Sequence, residues 1–315
     1  MRSQSMPSIA IANVTHHYGD RRALNAVTID IAAAEVFGLL GPNGGGKSTL
    51  LRLLSTLLPL QQGSISLAGH DVAREPDAVR RAIGVTFQSP SLDIKLTVQE
   101  NLKYQGHLYG LQGRALRDRM AQVMSQLKIQ DRAGDIVQTL SGGLKRRVEI
   151  AKSLLHAPQV LLLDEPSTGL DPGARHDLWQ FLTTLRSETG VTVLVTTHLM
   201  EEADRCDRLG LLDQGDLIAL GTPDELRSSV GGDSITIDPV NLTELQQQLQ
   251  DTLHLQARPL GNQLRIENVS GPEVVERLAR ELPGTFRSLT LGKPTLDDAF
   301  IHLTGRRLAD EIGAE

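Results

Sequence analysis

The segment GPNGGGKST combines residue types and a spacing that can hold the phosphates of a nucleotide. It follows the apolar run VFGLL, and its last two residues open the largely apolar stretch STLLRLLSTLL. The segment is therefore predicted to join a strand to a helix. Glycines allow successive backbone N–H groups to point at one anion, and the following helix N-terminus adds partial positive charge. We therefore expect Lys47 to bridge the β- and γ-phosphates and Ser48 to bind Mg²⁺. The predicted phosphate-binding residues are Gly41, Asn43, Gly44, Gly45, Gly46, Lys47, Ser48 and Thr49.

Two acidic residues follow a second apolar run, VLLLD, which is predicted to be a buried strand. Asp164 ends that strand and is suited to be the acidic partner of a metal ion bound with a nucleotide. Glu165 lies one residue further, where it can orient or deprotonate an attacking water. The two acids could instead start a turn before Pro166, but the phosphate loop in the same chain favours the catalytic interpretation.

The elements that position these residues follow an α/β pattern. Strand-like and helix-like runs alternate from Ile9 to about Leu226, which predicts a mainly parallel sheet. Strand signals fade between Arg74 and Thr139, where amphipathic helical patterns take over. We expect a first domain over residues 1–230, with a helical insertion at about residues 74–155.

A second, smaller domain is predicted over residues 231–315. The pair Gly231-Gly232 interrupts the chain, and the pattern that follows has the order β-α-β-β-α-β, with a hairpin turn at Gly261-Asn262. This order is typical of an α+β, ferredoxin-like domain. Thr295 and Asp298 have the spacing of a capping box for a last helix, which is predicted to end near Leu308. No catalytic cluster is visible in this part of the sequence.

Composition narrows the class of protein. The 315 residues are enough for roughly two domains of about 150 residues each. A net charge of −6 argues against a nucleic-acid partner, and the single cysteine, Cys206, excludes an intrachain disulfide or a cysteine-rich zinc site. No apolar run has the roughly 20 residues needed to cross a bilayer, and the first residues lack the apolar core of a signal peptide. We therefore predict a cytoplasmic protein.

The tetrapeptide LSGG, Leu140 to Gly143, completes an ordered set with GPNGGGKST and LLLDEPSTGLD. With these three motifs the sequence resembles the ATP-binding subunit of an ABC transporter. The resemblance implies a P-loop NTPase fold of the ABC type that hydrolyses ATP with Mg²⁺. It also implies a dimer with ATP sandwiched between two protomers, in which Ser141, Gly142 and Gly143 contact the γ-phosphate of the ATP on the opposing protomer.

The same resemblance implies roles for four further residues. Tyr18 corresponds to the aromatic residue that stacks on adenine, and Gln88 to the glutamine that reaches Mg²⁺ and the attacking water and faces the membrane partner. Asp171 corresponds to the loop that communicates across the dimer, and His198 to the histidine that contacts the γ-phosphate. For Tyr18 the alternative is packing at a strand end, and for His198 a structural role. The basic residues 145–147 lie at the start of the helix that follows the LSGG motif; we call the motif the signature and the helix the signature helix. They form either a solvated face or an added attraction for nucleotide.

Two positions depart from the usual family pattern. Leu144 follows Gly143 where the family usually has glutamine, so a side-chain amide is lost beside the nucleotide. Gly45 replaces a residue that is commonly alanine or serine, which should leave the phosphate loop intact. We expect hydrolysis to survive both changes, because Ser141 and the glycine amides remain.

The segment PTLDDAFIHLTGRR, Pro294 to Arg307, resembles the C-terminal end of ATPases from drug-resistance exporters of the daunorubicin type. This resemblance implies export through a separate integral membrane permease and a position on the cytoplasmic face of the cell membrane. The implied partner in the dimer is a second ATP-binding subunit; a homodimer and a heterodimer both remain open, and the complete set of motifs favours the homodimer. The alternative is a non-transport ABC-type ATPase associated with DNA or the ribosome. A DNA-repair member would need a long coiled coil between Lys47 and Ser141, and a ribosomal factor usually has two tandem ATPase domains. A pseudo-ATPase conflicts with the complete set of catalytic residues.

Overall fold

The computed structural model describes residues 7–306, which form two compact units. The first unit ends at Leu220 and the second begins at Gly221, whereas the sequence placed the boundary after Val230. The difference arises because the helix Pro223–Ser229 packs against the helix Leu296–Thr304 of the second unit. Arg307 and the predicted helix end at Leu308 lie outside the described residues.

The first unit contains ten strands and seven α-helices among its described residues. The strands are β1 (Ile9–Tyr18), β2 (Arg21–Ile31), β3 (Val36–Leu40), β4 (Gln62–Leu67), β5 (His70–Asp71), β6 (Ile83–Thr86), β7 (Val160–Asp164), β8 (Thr192–Thr197), β9 (Arg208–Asp213) and β10 (Asp216–Gly221). The helices are α1 (Lys47–Leu54), α2 (Pro76–Ala82), α3 (Val98–Leu108), α4 (Gly113–Gln126), α5 (Gly142–Leu154), α6 (Pro172–Thr189) and α7 (Met200–Ala203). Two short 3-10 turns, Gln130–Arg132 and Val137–Thr139, lead from α4 to α5.

A six-stranded sheet in the order β10-β9-β3-β8-β7-β6 forms the centre of the first unit. Strand β3 pairs in parallel with β8 and β9, and β7 pairs in parallel with β6 and β8. Every residue of β3, β7 and β8 is buried, as expected for central strands covered on both faces. Leu40 pairs with Thr197, and Asp164 with Thr196, so the carboxyl ends of these three strands meet at one edge. Ligand sites in parallel sheets form at this edge.

A second sheet, in the order β2-β1-β4-β5, differs from the predicted parallel arrangement. Its pairs β1–β2, β1–β4 and β4–β5 are all antiparallel. Buried and less buried residues roughly alternate along β1, which is typical of a strand with one face on the core. The apolar faces of this sheet and of the central sheet share one core, with Ile11 and Leu39 among its buried members.

The predicted helical insertion at residues 74–155 is wrong at its first part, because β6 lies within it and is the edge strand of the central sheet. A strand of only four residues that contains a glycine gives little signal in the sequence. Gly84 is required there, since a Cβ at this position would lie 2.3 Å from the backbone oxygen of Ser153 in α5. The purely helical part therefore begins after β6, at α3.

The second unit has the predicted order β-α-β-β-α-β between two flanking helices. Its strands are β11 (Asp233–Pro239), β12 (Arg258–Leu260), β13 (Gln263–Val269) and β14 (Phe286–Gly292). Its helices are α8 (Pro223–Ser229), α9 (Leu242–Leu253), α10 (Gly271–Glu281) and α11 (Leu296–Thr304). The strands form an antiparallel sheet in the order β12-β13-β11-β14, and residues of α9 and α10 share a core with it. The predicted capping box of Thr295 and Asp298 opens α11.

Candidate active site

The glycine-rich loop between β3 and α1 has the geometry of a phosphate site. Gly46 precedes α1 with a φ of +107°, and a Cβ there would lie 2.7 Å from the backbone oxygen of Ala23. At Gly41 a Cβ would lie 2.0 Å from the backbone oxygen of Leu212, so no larger residue fits the turn. The loop therefore needs these glycines both for its conformation and for close packing.

Lys47 is the first residue of α1, and its side chain is folded back over the loop. Only 4% of the residue is exposed, and its Nζ donates hydrogen bonds to the backbone oxygens of Gly41 at 2.7 Å and Pro42 at 2.9 Å. The same Nζ lies 3.7 Å from Oε1 of Glu165. Burial lowers the pKa of Lys47, although the carboxylates of Glu165 and Asp164 act in the opposite direction. A buried ammonium in an amide-rich loop is suited to bind an anionic ligand.

Asp164 accepts hydrogen bonds from hydroxyl groups on two neighbouring elements. Its Oδ1 accepts a hydrogen bond of 2.6 Å from Oγ1 of Thr196 and one of 3.3 Å from Oγ of Ser48. The carboxylate of Asp164 is buried at the end of β7, next to the start of α1. Carboxylate and hydroxyl oxygens are the ligands that Mg²⁺ prefers, so the predicted metal residues Ser48 and Asp164 fit the ion.

Glu165 is held in an unusual backbone conformation directly after β7. Its φ is +44°, a left-handed value that is uncommon for a residue with a Cβ. Its amide N–H donates to Oγ1 of Thr196 at 3.0 Å and to the backbone oxygen of Thr196 at 3.2 Å. The side chain is thereby directed to the edge of the sheet, where Oε1 lies 3.2 Å from Nδ1 of His198. Glu165 and His198, which the sequence predicts separately as site residues, are therefore in direct contact.

The carboxyl group of Glu165 has a lowered pKa. Burial by itself would raise the pKa, but the His198 ring, the Lys47 ammonium and a 3.2 Å hydrogen bond from Oγ1 of Thr168 outweigh it. A carboxyl group with a lowered pKa is ionised at neutral pH. The structure thus provides a carboxylate that can accept a proton or a hydrogen bond from water at the sheet edge.

A cleft of about 320 Å³ is lined by most of the predicted phosphate-binding residues, whereas Asp164 and His198 are not part of its lining. It is lined by the phosphate loop with Tyr18, Arg21, Ala23, Gln88 and Glu165. Arg21 was not predicted; it enters the cleft because the β1–β2 hairpin pairs it with Tyr18. Its contribution depends on strand pairing, which no local motif reveals.

Tyr18 lies at the end of β1 with 43% of its surface exposed. The ring of His16 contacts it edge-on, with 4.9 Å between the ring centroids and 75° between the planes. His16 itself is buried, and burial, followed by the nearby His17, lowers its pKa. An exposed ring supported from its edge by a second ring can stack on a flat base, as predicted for Tyr18.

The signature residues do not line this cleft within the described part of the chain. Ser141 precedes α5, and its hydroxyl oxygen accepts a hydrogen bond of 3.4 Å from the amide of Leu144. Ser141 and Gly142 are exposed, so the N-terminus of α5 is open to solvent. Leu144 therefore contributes its backbone to the cap, although it lacks the amide side chain usual at this position.

The Asp171 loop is connected to the end of β8 through a buried acid. Asp171 caps α6 by accepting a 2.9 Å hydrogen bond from the amide of Ala174. Glu202, only 1% exposed, accepts hydrogen bonds from Ser167 and, at 2.6 Å, from Thr197. Thr197 directly precedes His198, so one carboxylate links the segments that carry Asp171 and His198. Sequence reasoning missed Glu202, although it lies in the same TTHLMEEAD segment.

Arg146 and Arg147, at the start of α5, lie in different environments. Arg147 is partly exposed and pairs with Asp177 at 2.7 Å. Arg146 is buried and bonded to backbone oxygens on both sides of the site, including those of Phe87 and Pro166. For Arg146, neither a solvated face nor a direct attraction for nucleotide describes what the structure shows.

The comparisons with known proteins agree with this geometry. The family model described as ABC transporter matches residues 24–168. The daunorubicin/doxorubicin resistance ATP-binding protein DrrA of Streptomyces peucetius is 38% identical over 326 aligned positions, which cover 100% of this chain and 98% of the relative. The chain belongs to the ABC transporter family.

Two further matches extend the comparison. The Nod factor export ATP-binding protein I of Sinorhizobium fredii is 39% identical, with 98% of this chain and 89% of the relative covered. The solved dimeric structure of the ATP-binding cassette MJ0796, in a post-hydrolysis state bound to ADP and Pi, matches with a TM-score of 0.62 and 29% identity. That match covers 68% of this chain and 98% of the cassette. The chain is thus an ABC ATPase, a nucleotide-binding subunit that hydrolyses ATP.

In this ABC ATPase the segment that carries the exporter resemblance has a structural role. Asp298 is part of the cap of α11 and also accepts a hydrogen bond from Arg265 of β13. Leu296, Ala299 and Phe300 bury the apolar face of the helix. The segment from Pro294 onward therefore holds α11, the last described helix, in place within the second unit.

Proposed function

We propose that this ABC ATPase powers the export of a substrate through a separate integral membrane permease. The observation that carries the proposal is the division of the site's groups: Lys47, Glu165 and His198 meet at one sheet edge, while the anion-binding helix end at Ser141 is open elsewhere. Relatives that align over most of the chain are named for drug resistance and Nod factor export. Among residues 7–306, no helix is both long and apolar enough to cross a bilayer. A separate membrane protein would then provide the path for the substrate.

Each residue at the sheet edge has a task that follows from its surroundings. The loop amides and Lys47 bind the phosphates, and Tyr18 stacks on the adenine. Ser48, Asp164 and Gln88 would hold Mg²⁺, which neutralises charge on the phosphates. Glu165 orients the attacking water and accepts its proton, while His198 holds the Glu165 carboxylate and contacts the γ-phosphate.

We infer that each complete site is built from two protomers. In one chain the phosphate loop covers one side of the nucleotide, and Glu165 and His198 lie at its γ-phosphate end. The N-terminus of α5 in a second copy would cover the opposite side with Ser141, Gly142 and Gly143. The related MJ0796 cassette is dimeric in its solved structure with ADP and Pi, which supports the pairing of two protomers. Asp171 would lie at the contact between the two protomers.

The permease is proposed to dock beside the segment from Phe87 to Ser91, which follows β6 and is called the Gln88 loop below. A groove of about 500 Å³ is lined there by residues that include Leu57, Phe87, Gln105 and Tyr109. Of the apolar residues that line this groove, Leu57 and Tyr109 are exposed, as are Tyr104 and Leu108 of α3. An apolar surface next to a catalytic loop is suited to pass movement between the two proteins. Docking there would place the subunit on the cytoplasmic face of the membrane.

Purification of the native complex tests the proposal against the alternative of a DNA- or ribosome-associated ATPase. We expect a hydrophobic permease to copurify in detergent, and ATPase activity in the complex to respond to a transported compound. Ribosomal RNA or DNA in the purified complex, with no membrane protein, would overturn the transport function. The net charge of −6 is consistent with the absence of a nucleic-acid partner.

A further inference from the structure

The side chain of Arg146 uses all of its hydrogen-bond donors inside the protein. A guanidinium group has five N–H donors in a fixed planar arrangement. Nε donates to the backbone oxygen of Pro166 at 2.7 Å, and Nη2 to those of Asp164 and Glu165, both at 3.1 Å. Nη1 donates to the backbone oxygen of Phe87 at 2.9 Å and to Oε2 of Glu149 at 2.8 Å. Five donors therefore meet five acceptors at a residue that is 9% exposed.

The four backbone acceptors come from the two segments that carry the proposed catalytic residues Glu165 and Gln88. Three successive backbone oxygens, those of residues 164–166, surround the left-handed turn at Glu165. A strained conformation persists only where the surroundings hold it. Arg146 supplies that restraint from the first turns of the signature helix α5.

Glu149, three residues after Arg146 in α5, neutralises the guanidinium and holds the other end of the Gln88 loop. Its Oε2 bonds to Arg146, while its Oε1 accepts a hydrogen bond of 2.8 Å from the amide of Ser91. Lys152 also donates to the backbone oxygen of Ser91, at 2.6 Å. The segment from Phe87 to Ser91, with Gln88 inside it, is thus bonded at both ends to α5.

We propose that Arg146 and Glu149 are positioning residues for ATP hydrolysis, which hold the Glu165 turn and the Gln88 loop in fixed register with the signature helix. Neither side chain lines the nucleotide cleft, so they act through Glu165 and Gln88. The proposal rests on the catalytic roles proposed above for those two residues. It predicts that a movement of the Gln88 loop is transmitted to the Glu165 turn through a single guanidinium group.

The substitution Arg146→Lys tests whether the arrangement of donors matters. Lysine keeps the positive charge that Glu149 requires but offers three donors from one atom, so it cannot satisfy five acceptors around a plane. We expect kcat per nucleotide-binding site to fall about tenfold, with KM for ATP changed by less than about threefold. Arg146→Met, which removes both charge and donors, should lower kcat further.

Arg147→Lys is the matched control, because it makes the same change one residue further along α5. Arg147 is partly exposed and pairs with Asp177 away from the cleft. We expect this variant to keep the wild-type kcat and KM. A second probe is Glu149→Gln, whose side chain keeps the shape but loses the charge. Hydrogen exchange at the Ser91 amide should become faster in that variant.

The decisive experiment measures ATP-binding stoichiometry and steady-state hydrolysis for these variants beside Glu165→Gln. A positioning role predicts full stoichiometry and a lowered kcat per site in Arg146→Lys. A merely structural role predicts fewer binding sites with unchanged kcat per site, and that result would overturn the proposal, as would wild-type behaviour of Arg146→Lys. Normal turnover by Glu165→Gln would instead remove Glu165 from the chemistry. Failure of the proposal and failure of the catalytic assignment are therefore distinguished.

Discussion

Each unit of this chain contains an arginine whose side chain is largely enclosed, and the two arginines are surrounded differently. In the first unit, Arg146 bonds to four backbone oxygens around the catalytic turn and the Gln88 loop. In the second unit, Arg265 bonds to the side chains of Ser234, Thr236 and Asp298 and lies 3.7 Å from Glu267. The first arginine holds main-chain turns beside a cleft, whereas the second joins a sheet to the helix α11. The comparison suggests a rule for this chain: backbone acceptors at a strained turn, more than a buried charge alone, mark the positioning role proposed for Arg146.

The largest effect on activity is expected at the turn that Arg146 surrounds. Glu165→Gln keeps the shape of the side chain but removes the carboxylate, so ATP should bind while hydrolysis falls by about 10² to 10⁴. Gel filtration with ATP and Mg²⁺ should show a dimer that stays closed, and an ATPase assay gives the rate. ATP hydrolysis by the variant at a rate close to that of the wild type would show that Glu165 is not the catalytic base.

The next effect is on stability and concerns the second unit. Arg265→Met leaves the buried Asp298 and the partly buried Glu267 without their cation, which should lower the free energy of unfolding of this unit by about 3 kcal/mol. We expect the kcat for ATP hydrolysis to be unchanged in the folded protein. Thermal unfolding and ATPase assays on one preparation measure both quantities.

The control for Arg265→Met is Arg280→Met, at an exposed arginine of the same unit. An exposed ion pair contributes little, so its unfolding temperature should stay close to that of the wild type. A strong loss of kcat in Arg265→Met, with stability retained, would contradict the claim that Arg265 supports the fold whereas Arg146 supports hydrolysis.

A smaller effect, on folding and solubility, is expected when the chain is shortened. A chain that ends at Leu220 should fold and bind ATP, because the first unit has its own core. A chain that ends at Ser229 keeps α8 but lacks its packing partner α11, so it should be less soluble. Equal solubility of the two chains, measured after expression, would place the boundary back after residue 230.

The smallest expected effect is the response of stability to acid. The pKa of Glu165 is lowered in the folded protein, so its ionised form stabilises the fold above the pKa of the unfolded chain. That contribution is lost as the pH falls from the ordinary range of a glutamate, about 4.3, through the lower folded value. Chemical unfolding at several pH values should show a shallower loss in acid for Glu165→Gln. An identical pH dependence in wild type and variant would contradict the lowered pKa.

The site residues that local motifs mark could be predicted from the sequence. The phosphate loop, Asp164, Glu165 and His198 each follow an apolar strand-like run, and parallel strands bring their carboxyl ends to one edge. The secondary-structure order of the second unit was also readable, because its turns and caps have local signals such as Gly261-Asn262 and Thr295 with Asp298.

The features that depend on distant contacts could not be predicted. Arg146 lies 59 positions from Phe87 and 20 positions from Pro166, so no local pattern announces their hydrogen bonds. The strand β6 is too short to give a periodic signal, and its Gly84 is explained only by the approach of α5. The antiparallel pairing that brings Arg21 to the cleft is likewise a property of the fold.

Complementation between two inactive variants most directly tests the claim that each site is built from two chains. Lys47→Ala removes the phosphate-binding ammonium, and Ser141→Arg places bulk and charge at the signature helix end. In a mixed dimer, one site carries both defects and the other carries neither. Random pairing makes half of the dimers mixed, so ATPase activity should return to about a quarter of the wild-type value. Normal hydrolysis by Ser141→Arg alone, linear in enzyme concentration at high dilution, would contradict the shared site.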